Sequence, residues 1–152
     1  MGQSVVAVDI GNSYIKAAVL TDVQTPLDLH DTPVVTFKPE DIGNDQWLDF
    51  LGSCTVETQW FLASVNQSSL DCVVQWLDSQ AILPKKTILN HQHIPLDFSA
   101  VDVEQVGVDR LLSALGAMGA RENSFPMVVV DIGTAVTIDA VTADGAFLGG
   151  VI

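Results

Sequence analysis

Basic residues are scarce in this sequence. Six lysines and arginines stand against nineteen aspartates and glutamates, for a formal net charge of -13 at pH 7. A chain this acidic gains nothing from counterion release on nucleic acid and is repelled by an anionic bilayer, so neither a nucleic acid nor a membrane is expected as a partner. The charge suits a protein that handles cations, or one that is simply kept soluble. Cysteine is nearly absent too. Cys54 and Cys72 have neither metal-ligand spacing nor a partner motif, and they read as buried, reduced thiols. No apolar run approaches the roughly 20 residues that cross a bilayer. The opening MGQSVVAVD lacks a basic stretch ahead of a long apolar one, and the residues after Gly2 put no Ser or Thr where a myristoylation signal wants one. A cytoplasmic location is the default expectation.

One stretch is present twice. VVAVDIGNSYIKAAVLTD (5–22) and MVVVDIGTAVTIDAVTAD (127–144) align Asp9, Ile10 and Gly11 with Asp131, Ile132 and Gly133. Each copy is a β-branched run that enters an Asp-x-Gly turn and leaves through a second alternating strand, the pattern of a β-hairpin. Glycine lets the turn backbone approach a ligand and offer consecutive amide N–H groups, which form an anion-binding concavity. A carboxylate beside a phosphate needs a cation between them, so the pattern suggests bound Mg-nucleotide. The duplication predicts two related domains with a nucleotide clamped between them.

The intervening chain reads as an α/β layer with mixed strand directions. Pro26 and Pro33 bracket a polar connection, and Val34 to Phe37 reads as a third strand of a meander that Pro39 ends. Trp47, Leu48, Phe50 and Leu51 form a helical stripe stopped by Gly52. Trp60 to Val65 reads as a buried strand, and Ser68 or Ser69 can cap a helix carrying Leu70, Val73, Val74, Trp76 and Leu77, closed by Pro84. Thr87 to Leu89 is one more strand. Trp47 and Trp60 are either ligand-stacking residues or core packing. His91 and His93 are either two ligands of a metal or an exposed loop pair, and with His30 they are the only histidines. Residues 94–106 read as an irregular connection, with Asp102 and Glu104 solvated.

Gly107, Val108, Asp109 and Arg110 then open a helix whose apolar face is Leu111, Leu112, Ala114, Leu115 and Met118. Gly116, Ala117 and Gly119 keep the other side slim enough for another helix or a second subunit. Asp109 lies where the helix macrodipole favours a carboxylate, as a cap or as a reacting group. The expected division is a first domain over 1–106, a connecting helix over 107–126 and the start of a second domain over 127–152. After Asp144 the chain runs GAFLGGVI, a third strand with no helix to cover it. That would leave an apolar face and open edges, so a truncated protein, or one completed by another chain, is expected.

Three ordered motifs, DIGNSYIK (9–16), GVDR (107–110) and DIGTAVTID (131–139), resemble those of the type III pantothenate kinases, members of the acetate and sugar kinase, Hsp70 and actin superfamily. The resemblance implies an actin-like ATPase (ribonuclease H-like) fold and a homodimer through the helix after Arg110. It implies transfer of the γ-phosphate of ATP to the primary hydroxyl of pantothenate, giving 4′-phosphopantothenate, the first step towards coenzyme A. It further implies that Asp9, Ile10, Gly11, Asn12, Ser13, Tyr14, Ile15 and Lys16 form the ATP phosphate site, with Asp9 holding Mg2+ through water. Lys16 adds positive charge there, or is a snorkelling surface lysine. Asp109 matches the base for the substrate hydroxyl, and Gly107, Val108 and Arg110 complete the pantothenate motif. Asp131 matches the monovalent cation site (K+ or NH4+), and Thr134 a contact to ATP. Where the family often has a tyrosine and a proline, this sequence has Ala100 and Val103 in one wall of the substrate pocket, and the family continues beyond FLGGVI into further nucleotide and substrate contacts. Rival readings are a non-catalytic nucleotide- or pantothenate-binding module of the same fold, and a kinase for another hydroxyl or carboxyl acceptor, against which GVDR argues.

Overall fold

The computed structural model describes residues 4–21, 32–51, 54, 58–80, 85–120 and 125–152. Pro26, His30, Gly52 and Pro84 lie outside them. The chain divides into two compact units, Met1–Ile88 and Leu89–Ile152.

In the first unit, β1 (Val5–Ile10) and β2 (Ile15–Leu20) are the expected hairpin, followed by β3 (Val34–Phe37), α1 (Asp45–Leu51), β4 (Gln59–Ser64), α2 (Gln67–Asp78) and β5 (Lys85–Ile88). The sheet order is β3-β2-β1-β4-β5. The meander pairs are antiparallel, whereas β4 runs parallel to both β1 and β5. This is the mixed sheet that the strand and helix pattern predicts. Period-two alternation explains its core: Val6, Val8 and Ile10 of β1 and Ile15 and Ala17 of β2 are buried with Phe37, Leu62, Leu70, Val73 and Leu77. Each such aliphatic side chain contributes about 1.5–3 kcal/mol on burial.

Trp47 and Trp60 are core residues. The Trp47 ring meets Phe37 edge-on at 5.0 Å and Trp76 edge-on at 5.5 Å, geometry that aromatic quadrupoles favour. The cap of α2 differs from expectation. Asn66, not Ser68 or Ser69, is the N-cap: its Oδ1 accepts the Ser69 N–H at 3.1 Å and the Ser68 hydroxyl at 2.8 Å. The Ser64 hydroxyl accepts the Asn66 N–H at 3.0 Å and so fixes the strand-to-helix turn one step earlier.

The second unit holds α3 (Val108–Gly119), β6 (Met127–Ile132), β7 (Val136–Val141) and β8 (Phe147–Val151), with an antiparallel sheet in the order β6-β7-β8. By packing, this unit begins at Leu89. Ile94, Leu96, Phe98, Val101, Val103 and Val106 join Leu111, Ala114, Val141 and Phe147 in one cluster, so the stretch read as an irregular connection is part of this core. A bridge from Asp97 to Ala146 ties it to the sheet.

Gly150 lies opposite Asp139, and a Cβ there would stand 1.7 Å from the Ile138 carbonyl oxygen, an approach that only glycine permits. Gly149 beside it takes a positive φ of 74° at the point where the ladder shifts register.

Candidate functional site

In the first hairpin, Asp9 is exposed near the end of β1, and its cross-strand partner is Lys16, also exposed. Ile10 and Ile15 face the other way and are fully buried, so their side chains anchor the turn rather than touch a ligand. The Gly11 N–H donates to the Tyr14 carbonyl at 3.0 Å. It is thereby engaged inside the turn, and the exposed stretch of the loop is Asn12, Ser13 and Tyr14.

The second hairpin repeats the device with a difference. The Gly133 N–H donates to the Ala135 carbonyl at 3.0 Å, but Ile132 pairs with Val136 whereas Ile10 pairs with Ile15, so the second turn is one residue shorter. Beyond the turns the two copies slip by one position. Thr137, not Ile138, stands opposite Asp131 as Lys16 stands opposite Asp9. Asp131 and Thr134 are both exposed.

The GVDR residues begin α3. Gly107 is the N-cap, and its carbonyl accepts the Arg110 N–H at 3.1 Å. The half-buried Asp109 turns back on the same first turn, its Oδ1 accepting the Arg110 N–H at 2.8 Å. The Arg110 N–H is thus shared between the Gly107 carbonyl and the Asp109 carboxylate. Val108 is half-buried and packs into the cluster under the helix.

The Arg110 side chain is committed. Its Nε donates to Asp139 Oδ2 at 2.9 Å and its Nη2 donates to Asp139 Oδ1, a bidentate fork. The pair is largely withdrawn from water, with 10% of the Arg110 side chain and 3% of the Asp139 side chain exposed. The hydrogen bonds to Asp139 raise the guanidinium pKa above its ordinary value; burial opposes the shift, and the charges of Asp139 and Asp109 add to it, so Arg110 stays charged. Losing one partner of such a buried pair costs about 3–5 kcal/mol, because the other charge is left without compensation.

Strand parity places these groups on one side of the sheet. Met127, Val129 and Asp131 of β6 share a face with Thr137, Asp139 and Val141 of β7, and α3 packs against these two strands. Asp131 pairs with Thr137, so Asp131 and Asp139 are diagonal neighbours, a separation of about 7–8 Å in such ladders. The second unit thus joins Arg110 to one acid that the sequence reading passed over, Asp139, with Asp109 beside Arg110 in the chain and Asp131 diagonal to Asp139 on the ladder. One signal for it was available: an aspartate at the inward parity of an alternating strand, between Thr137 and Val141, calls for a buried partner, cationic or hydrogen-bonding. The Asp9 to Lys16 hairpin belongs to the first unit.

His91 and His93 sit in a short 3-10 turn. His93 Nδ1 lies 2.8 Å from the Asn90 side-chain oxygen and His91 Nε2 lies 3.7 Å from Glu104. Among the described residues no three His, Cys, Asp or Glu side chains gather as a metal site, and no helix is long and apolar enough to cross a membrane.

Compared with known proteins, residues 5–152 match the family model described as type III pantothenate kinase. A type III pantothenate kinase of Thiobacillus denitrificans is 32% identical over 151 residues, covering 97% of this chain and 55% of that protein. One from Rhodopirellula baltica is 39% identical over 94 residues, 60% of this chain and 33% of that protein. The chain therefore spans about half the length or less of these curated relatives. Among solved structures, YeaZ from Pseudomonas aeruginosa is similar with a TM-score of 0.46 at 8% identity, covering 97% of this chain and 65% of that one.

Proposed function

As the chain belongs to the type III pantothenate kinase family, we propose that the protein it forms is a pantothenate kinase, which moves the γ-phosphate of ATP to the primary hydroxyl of pantothenate on the way to coenzyme A. The observation that carries this reading is the head of α3, where Asp109 and the pinned cation of Arg110 are adjacent and lie in the same unit as Asp131. The Asp109 carboxylate accepts the hydroxyl proton as the oxygen attacks the γ-phosphorus and ADP departs; one Asp109 oxygen is held by the Arg110 amide, which leaves the other for the proton. A base of this kind supplies about 10²- to 10⁴-fold, so positioning and charge neutralisation supply the rest. Arg110 binds the pantothenate carboxylate, with Gly107 and Val108 shaping the approach.

The phosphates are assigned to the first hairpin. Asp9 is an exposed carboxylate suited to a Mg2+ ion held through water, Lys16 opposite it supplies positive charge, and the cradle starts at Asn12 because the Gly11 amide is engaged in its turn. Asp131, with threonine oxygens in its own turn and across the ladder, is a fitting donor set for a hard monovalent cation such as K+ or NH4+. Such an ion would offset the charge of Asp131 toward an anionic ligand. Thr134 contacts ATP in this reading. The exposed glycines Gly116 and Gly119 of α3, with open space above them, suit the homodimer contact, and ATP and pantothenate as substrates suit a cytoplasmic location.

The test is ADP release by the purified whole protein. Pantothenate is expected to stimulate it, and K+ to support it better than Na+. ATP turnover indifferent to pantothenate would point to another acceptor, and pantothenate binding without ADP release would point to a binding module. Equal rates in K+ and Na+ would remove the role given to Asp131.

A further inference from the structure

Asp139 takes no part in the phosphoryl transfer just described, yet it is among the most deeply buried charges of the second unit, 2% exposed. Its two oxygens hold the two donors of one edge of Arg110. Of the five guanidinium N–H groups, those on Nη1 and the second on Nη2 remain outside this grip. We propose that Asp139 is a positioning residue for the acceptor substrate: it fixes Arg110 so that the free edge of the guanidinium is set for the substrate carboxylate before the substrate arrives. The proposal rests on the kinase reading of Arg110 and deepens it.

Two effects oppose each other here. Pairing with Asp139 neutralises Arg110 and weakens its pull on an anion at a distance. Against that, a free arginine must surrender its rotamer freedom when it binds, whereas a guanidinium held by a buried fork has surrendered it already. A planar carboxylate is recognised by two parallel N–H groups, so orientation decides how well it is held, and we expect preorganisation to win. The surroundings support a rigid mount. Asp139 sits on the central strand of its sheet, between β6 and β8, and Gly150 opposite it lets the β8 backbone close on that strand without a side chain between. Arg110 itself is on the first turn of α3, where its backbone N–H is held by both Gly107 and Asp109. Backbone and side chain are thus fixed separately, and one aspartate does the second job.

The experiment compares Asp139→Asn with wild type in the whole protein, measuring kcat and the KM for each substrate. Asparagine keeps the shape but loses one acceptor and the charge. The KM for pantothenate is expected to rise about tenfold while the KM for ATP stays within about twofold. Asp139→Glu keeps the charge balance, displaces the guanidinium by one methylene, and is read in the same way if the Asn variant fails to fold; a rise of about threefold in the same KM is expected. A pantothenate KM that is unchanged or lowered in the folded variants shows that freeing the charge matters more than fixing its direction, and overturns the proposal alone. Both KM values rising together does the same, since a merely structural role would produce it. Wild-type protein that releases no ADP on addition of pantothenate overturns the kinase reading and this proposal with it.

Discussion

Burial acts on both Cys54 and Arg110, and it changes the chemistry of only one because only one has an opposite charge beside it. Desolvation pushes the Cys54 thiol pKa up with nothing to offset it, so less of the reactive thiolate exists at any given pH. Arg110 meets the same penalty and is held charged by Asp139. Cys72, exposed on α2, is open to reagents. Alkylation by iodoacetamide at pH 8 is therefore expected to label Cys72 several-fold faster than Cys54, with the gap narrowing as pH rises and the Cys54 thiol ionises. Equal rates at pH 8 would contradict the burial of Cys54. The sequence alone marked both cysteines as buried; Cys54 is half-buried, and the exposure of Cys72 is visible only once α2 has its phase: Leu70, Val73 and Leu77 turn inward and carry residue 72 outward.

At the scale of elements, the β6-β7-β8 sheet has two unlike faces. α3 packs on the face of Val129 and Val141, whereas Val128, Val130, Ile132, Val136 and Ile138 on the other are exposed apolar residues, with Leu148 and Val151 of β8 exposed as well. Val130 pairs with Ile138, and Ile138 with Val151, so these side chains form a continuous row. Such a row in water drives association. The 152-residue chain by itself is expected to bind a hydrophobic dye and to self-associate, and the double change Val130→Lys with Ile138→Lys is expected to reduce both; a monodisperse chain that binds no dye would contradict this. The two hairpins were legible in the sequence, because alternation with a period of two is a one-dimensional signal. The one-residue difference between the two turns was not, since Gly11 and Gly133 align and the slip shows only in which residues pair across each ladder. Nor was the Asn66 cap, where Asn66, Ser68 and Ser69 all offered oxygen acceptors and the Ser64 hydroxyl decided among them by holding the Asn66 amide.

For the whole molecule, the boundary after Ile88 follows from hydrophobic residues that lie outside the named helices and strands. Ile94, Leu96 and Phe98 are spaced two apart in a stretch with little regular structure, so only their packing on α3 and β7 reveals their unit. The candidate site was legible where three short motifs occur in order, and Asp139 escaped notice because its partner stands on another element, twenty-nine residues earlier. In the kinase reading Asp109, at the head of α3, takes the proton from the pantothenate hydroxyl in the whole protein. The measurement that tests it most directly is pantothenate-dependent ADP release by Asp109→Asn, taken together with its affinity for ATP. A fall in kcat of at least about 10²-fold is expected, with ATP affinity within about twofold of wild type. Near-normal turnover in that variant would contradict it.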